Sequence, residues 1–151
     1  MKEKTLLNVL LADDDQDDRF FFQKALNTLE LPCQLKTVPD GEQLMKYLFQ
    51  HSDTLPDVLF LDLNMPRKNG TECLIEIKEN DKLKAIPVII YSTALNEAIA
   101  DVLHNQGALY YIKKCEFTEL KTVLRKVLTD MIKSKSVRSA RDEFYINLVK
   151  F

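Results

Sequence analysis

Cysteine is scarce in this chain, and its spacing excludes two roles. Cys33, Cys73 and Cys115 are odd in number, lie far apart and form no CxxC pair. A disulfide framework wants an even count and a zinc site wants close pairs. Reduced thiols of a cytoplasmic protein are therefore expected. Long apolar runs are missing too: none approaches the ~18 residues that a membrane helix needs. The N-terminal stretch MKEKTLLNVLLADDD has a basic start and a short apolar run. It lacks the longer apolar region and small-residue cleavage site of a signal peptide. No basic excess exists, with 21 Lys and Arg against 23 Asp and Glu. That balance argues against direct nucleic-acid binding, which usually shows a basic excess or face. There is no internal repeat and no low-complexity tract. Glycine occurs three times, at Gly41, Gly70 and Gly107, and each falls in an expected turn or helix end.

What remains is an ordinary globular composition. The 151 residues are 46% hydrophobic and 29% charged, which suits one domain with a single sizeable core. There is no room for a second large domain beside it. Apolar runs alternate with amphipathic stretches. LLNVLLA (residues 6–12), CQLKTV (33–38), VLFLD (58–62), VIIYST (88–93) and LYYIKK (109–114) read as strands. CQLKTV alternates and is expected at an edge. The others look buried on both faces, as central parallel strands are.

Between them lie helical patterns. In DDRFFFQKALNTLEL, Phe21, Ala25 and Leu29 recur every four residues with Phe22 and Leu26 beside them, and Pro32 stops the helix. EQLMKYLFQ places Leu44, Tyr47 and Leu48 on one face, and TECLIEIKEN turns Cys73, Leu74 and Ile77 inward. LNEAIADVLHNQG ends at Gly107, and FTELKTVLRKVLTDMIKS is a long final helix. This alternation with short connections predicts an α/β domain with a parallel sheet.

In such a sheet, ligands bind outside the carboxyl ends of the strands. At or just past the ends of the first, third, fourth and fifth runs stand Asp13 and Asp14, then Asp62 and Asn64, then Ser92 and Thr93, then Lys113 and Lys114. Two like charges at about 4 Å repel by roughly 4 kcal/mol at an effective dielectric near 20. Converging carboxylates therefore need a cation or a proton. Oxygen-only ligation by few protein groups suits Mg²⁺. A metal beside a carboxylate and an ammonium suits phosphoryl transfer, with an aspartate as nucleophile. An EF-hand does not fit: counted from Asp13, the sixth place is Asp18 rather than Gly, and the twelfth is Lys24 rather than Glu. Asp15, Asp17 and Asp18 are expected as cap and first-turn charges. His51 and His104 are expected as ordinary surface histidines.

VLLADDDQDDR, VLFLDLNMPRKNG, PVIIYSTA and GALYYIKK resemble, in order and spacing, the receiver domain of bacterial two-component response regulators. The likeness covers roughly residues 6–130 and is nearest to stand-alone receivers of the phytochrome-associated type. It implies a flavodoxin-like doubly wound five-stranded parallel sheet with about five helices. It further implies that Asp62 accepts the phosphoryl group and that Asp14 binds Mg²⁺ directly, with Asp13 acting mainly through water. Asn64 would lend its backbone carbonyl to the metal. Ser92 matches the switch hydroxyl, Tyr111 the aromatic rotamer switch and Lys114 the family's invariant lysine. The implied partners are a sensor histidine kinase or histidine phosphotransfer protein and a downstream protein target. No membrane partner is implied, and homodimerisation is left open.

Two departures stand out. The family usually has a cis proline after the lysine, where this chain has Cys115; a non-proline cis bond costs ~2.5–4 kcal/mol, which leaves a trans bond open here. Gln16 stands where proline often opens the first helix. Residues 1–132 are expected to form the receiver. Residues 133–151 form a C-terminal extension whose Phe144, Leu148 and Phe151 fit a helical face, or whose Phe144, Ile146 and Leu148 fit a strand. It would pack back on its domain or serve self-association or partner docking. Two rival functions are an aspartate-nucleophile phosphatase and a pseudo-receiver that only binds partners. The phosphatase class wants a second acid where Asn64 stands.

Overall fold

The computed structural model describes residues 6–93 and 96–134. The chain alternates β1 (Leu7–Ala12), α1 (Gln16–Leu29), β2 (Cys33–Val38), α2 (Gly41–Gln50), β3 (Val58–Leu61), α3 (Gly70–Glu79), β4 (Val88–Ser92), α4 (Glu97–Asn105), β5 (Tyr110–Lys113) and α5 (Phe117–Ser134). The five strands form one sheet in the order β2-β1-β3-β4-β5, every pairing parallel. This is the doubly wound arrangement expected from the sequence. β2 is the half-exposed edge that its alternation indicated. Residues 135–151, which hold nearly all of the expected extension, lie outside the described residues.

Strand periodicity divides the core in two. Leu10, Ala12, Leu59, Leu61, Val88 and Ile90 face α2, α3 and α4. Val9, Leu11, Val58, Phe60, Ile89 and Tyr91 face α1 and α5. Phe22 of α1 meets Phe60 and Tyr91 edge-on, at centroid distances of 5.0 and 5.6 Å. Contacts of this kind contribute about 0.5–1.5 kcal/mol beyond burial.

Two helix faces differ from expectation. In α1 the buried residues are Phe22, Ala25, Leu26 and Leu29, whereas Phe21 is 45% exposed. At 3.6 residues per turn, Phe21 points roughly 90° from the centre of that stripe. In α2, Leu44, Met45 and Leu48 are buried. Tyr47 is only half-buried and stacks on His51 at 4.1 Å.

Local chemistry sets where the helices start. Asp15, Asp40, Asn69 and Asn96 cap α1, α2, α3 and α4. Asn69 and Glu72 form a reciprocal capping box, satisfying two otherwise orphaned N–H groups. Gly107 follows α4 with φ of +111°, a left-handed conformation that glycine adopts without strain.

Candidate phosphoryl-transfer site

Strand register brings the acids together. Ala12 of β1 pairs with Leu61 of β3, so Asp13 and Asp62 leave the sheet side by side. The Asp62 N–H donates to the Ala12 carbonyl at 3.0 Å, and the Asp13 N–H donates to the Val38 carbonyl at 3.1 Å. Ser92 of β4 pairs with Lys113, and the Lys114 N–H donates to the Ser92 carbonyl at 2.8 Å. Lys114, rather than Lys113, thereby turns into the crevice.

Its ammonium is the hub. Lys114 Nζ lies 2.8 Å from Asp13 Oδ2, 2.8 Å from Asp18 Oδ2 and 3.3 Å from Asp62 Oδ2. It also sits over the Tyr91 ring, 5.4 Å from the centroid. No described peptide bond is cis, so the Lys114–Cys115 bond is trans. The lysine reaches the acids all the same.

Asp13 and Asp62 are buried. Burial pushes the Asp13 carboxyl up, against the pull of Lys114. It pushes Asp62 up to about 6; Lys114 opposes this and the Asp13 charge adds to it. Burial acts on Lys114 in the opposite sense, but its close pairing with Asp13 and Asp18 and the nearby charges outweigh it and raise the ammonium. The acids are thus only partly compensated by one lysine.

A carboxyl with a raised folded-state pKa favours the fold most when protonated. The contribution from Asp62 is fully present below its ordinary value of 3.8 and is lost as the pH rises through about 6. Asp62→Asn should therefore exceed the wild type in stability by about 1–3 kcal/mol at pH 7 without divalent metal. The gap should close at about pH 3 and narrow when Mg²⁺ is added. Urea denaturation across pH, with and without chelator, measures both effects.

Among the described residues, oxygens of Asp13, Asp14 and Asp62 lie within 4.8 Å of one another and could hold a metal ion. Asp14 is exposed, which leaves room for retained water. An all-carboxylate, partly open donor set of this kind fits a hard divalent cation. Asn64 is exposed, and its N–H donates to Asp62 Oδ1 at 3.3 Å. Ser92 is fully buried and shares a hydrogen bond with the Tyr111 hydroxyl. Tyr111 is itself buried, turned into the core beneath α4. Thr93 is exposed beside them.

Sequence reading missed Asp18. It was expected only as a first-turn charge, yet it reaches Lys114 across 96 residues of sequence. The one local signal was its place three residues after the cap Asp15, which turns it toward the strand ends. His104 is half-buried at the end of α4 rather than on an open surface. His51 Nδ1 lies 2.9 Å from the Tyr47 carbonyl. Cys73 is a core residue whose thiol burial pushes up to about 12.

The comparisons with known proteins agree with this geometry. Residues 9–125 match the family model of the response regulator receiver domain. The response regulator Rcp1 of Synechocystis is 38% identical over 93 residues, 59% of this chain and 63% of that protein, so the match spans just under two thirds of the relative. The phosphorylated cyanobacterial phytochrome response regulator RcpA superposes with a TM-score of 0.76 at 30% identity, over 90% of this chain and 100% of RcpA. The Mn²⁺-bound form of Rcp1 gives 0.74 at 28% identity, over 88% and 99%. With three carboxylates and a lysine converging at the carboxyl edge of a five-stranded parallel sheet, the chain belongs to the response regulator receiver domain family of two-component signalling.

Proposed function

We propose that this receiver accepts a phosphoryl group on Asp62 from the phosphohistidine of a sensor kinase or phosphotransfer protein. The observation that carries this reading is the convergence of Asp13, Asp14 and Asp62 within 4.8 Å, with Lys114 against the two buried acids. An Asp62 oxygen attacks phosphorus, a P–O bond forms, and the P–N bond to the donor imidazole breaks with its electron pair. Asp13, Asp14, Asp62 and the Asn64 carbonyl would hold Mg²⁺. When bound, Mg²⁺ supplies positive charge against the charge of the transferred group. Lys114 pairs with a phosphoryl oxygen. Ser92 donates its hydroxyl to another, which releases its hydrogen bond with Tyr111.

That exchange is the switch. Ser92 and Tyr111 lie on β4 and β5, so a change in their pairing alters the face made by α4, β5 and α5. Ligand-dependent populations of two arrangements then change binding to a downstream protein. Among the described residues no helix is long and apolar enough to cross a membrane.

The test is incubation with acetyl phosphate and Mg²⁺, followed by peptide mass spectrometry. A hydroxylamine-sensitive single phosphoryl adduct is expected on Asp62, absent in Asp62→Asn and in chelator. No adduct on the wild type overturns the reading in favour of a binding-only module.

A further inference from the structure

Asp18 lies in the first turn of α1, outside the trio of acids that gather for a cation. Its Oδ2 is 2.8 Å from Lys114 Nζ, as near as Asp13 and nearer than Asp62 at 3.3 Å. The Asp18 side chain is 34% exposed, while that of Lys114 is 11% exposed. The contact is therefore half sheltered, and its lysine end is nearly dry.

An ammonium has three donors and no more. Here three carboxylates surround it. Two of these, Asp13 and Asp62, belong to the groups whose charge a cation and a phosphoryl group would offset or replace. Asp18 is the neighbour whose charge persists through such a cycle. It draws the lysine toward α1, while phosphoryl pairing draws it toward Asp62.

We infer that Asp18 is a positioning residue that holds Lys114 back from Asp62 and thereby limits how tightly the ammonium pairs with a phosphoryl group. This rests on the reading of Asp62 as phospho-acceptor. The lysine is shared between a fixed anion on the first helix and a variable one on β3. The strength of the fixed contact sets what is left for the variable one.

The experiment is an equilibrium titration with beryllofluoride, a phosphoryl mimic, in saturating Mg²⁺, followed by amide NMR shifts near Ser92. Four full-length proteins are compared: wild type, Asp18→Asn, Asp18→Glu and Asp17→Asn. Asp17 sits on the same turn and is exposed. Its variant removes a charge nearby without removing the Lys114 contact. Asp18→Asn is expected to bind beryllofluoride about three- to fivefold more tightly than wild type, the range that a partly exposed charge pair supports. Asp18→Glu, which keeps the charge and the reach, should restore wild-type affinity.

If Asp18→Asn binds no more tightly than Asp17→Asn, the gain is general charge removal and the proposal falls. Equal or weaker binding than wild type overturns it too. A wild type that fails to bind beryllofluoride instead overturns the phospho-acceptor reading, and the role of Asp18 with it.

Discussion

Lys114→Met should lose about 3–5 kcal/mol of stability at neutral pH in chelator, the cost of removing one partner from a buried charge cluster. The wild-type ammonium touches Asp13 and Asp62, whose side chains are 0% and 5% exposed. Methionine fills a similar length and supplies no charge, so both acids are left with their mutual repulsion. Burial already pushes both carboxyls upward with the lysine present. Without it, the folded state must take up a proton or open. Two additions should rescue the variant. Millimolar Mg²⁺ should recover much of the loss, because a ligand that binds only the folded state stabilises it by mass action. Acidification toward about pH 4 should narrow the gap, because neutral carboxyls no longer repel. Urea midpoints in chelator, in Mg²⁺ and across pH measure all three arms. A variant as stable as wild type in chelator would show that the acids are solvated and that Lys114 is no hub.

Gly70→Ala is the second large effect. A Cβ at Gly70 would lie 2.1 Å from the Asp62 carbonyl oxygen and 2.8 Å from the Leu63 Cα. Both are backbone atoms of the segment carrying Asp62, so no flexible side chain can yield. The Gly70 N–H also donates to the Leu63 carbonyl at 2.9 Å, which closes the β3–α3 loop onto itself. Overpacking of this kind typically costs about 1–3 kcal/mol, and the upper end is expected against rigid backbone. The functional loss should exceed the loss of stability. Displacing Asp62 by about 1 Å relative to the other groups should slow phosphorylation by about a hundredfold. Thermal unfolding gives the first quantity, and the rate of adduct formation from acetyl phosphate gives the second. A folded Gly70→Ala protein that phosphorylates at the wild-type rate would show that the loop adjusts elsewhere.

Much of this molecule was legible from the order of its residues. The alternation of short apolar runs with amphipathic stretches specified five strands and five helices, because side chains repeat every two residues in one and every 3.6 in the other. Pro32, Gly107 and the cap Asp15 punctuate the chain by local chemistry alone. The pairs Asp13 and Asp14, Asp62 and Asn64, Ser92 and Thr93, and Lys113 and Lys114 follow from the ends of four of the apolar runs, because parallel strands deliver their carboxyl ends to one edge of the sheet, and the family resemblance singled out Lys114.

Other features needed the third dimension. Phe21 and Phe22 are identical in the sequence, and only the docked rotation of α1 shows that Phe22 enters the core while Phe21 faces out. Tyr47 matched the helical face but was displaced by Met45, since the width of a buried stripe depends on what packs against it. The trans Lys114–Cys115 bond coexists with a correctly aimed lysine because the Lys114 N–H is held by Ser92 and its ammonium by three acids.

Asp18 marks the division most clearly. Within DDDQDD, every acid has the same intrinsic chemistry, and local rules assign those after Asp14 to a helix start. Asp15 follows that rule and caps α1. Asp18 stands in the first turn as that rule has it, but it also pairs with Lys114, because charge interactions depend on distance in space and not along the chain. The order of residues alone placed acids and a lysine at one edge of a parallel sheet. Which acids share that lysine was set by packing, since α1 must first dock against β1 and α5 before Asp18 and Lys114 come within 2.8 Å.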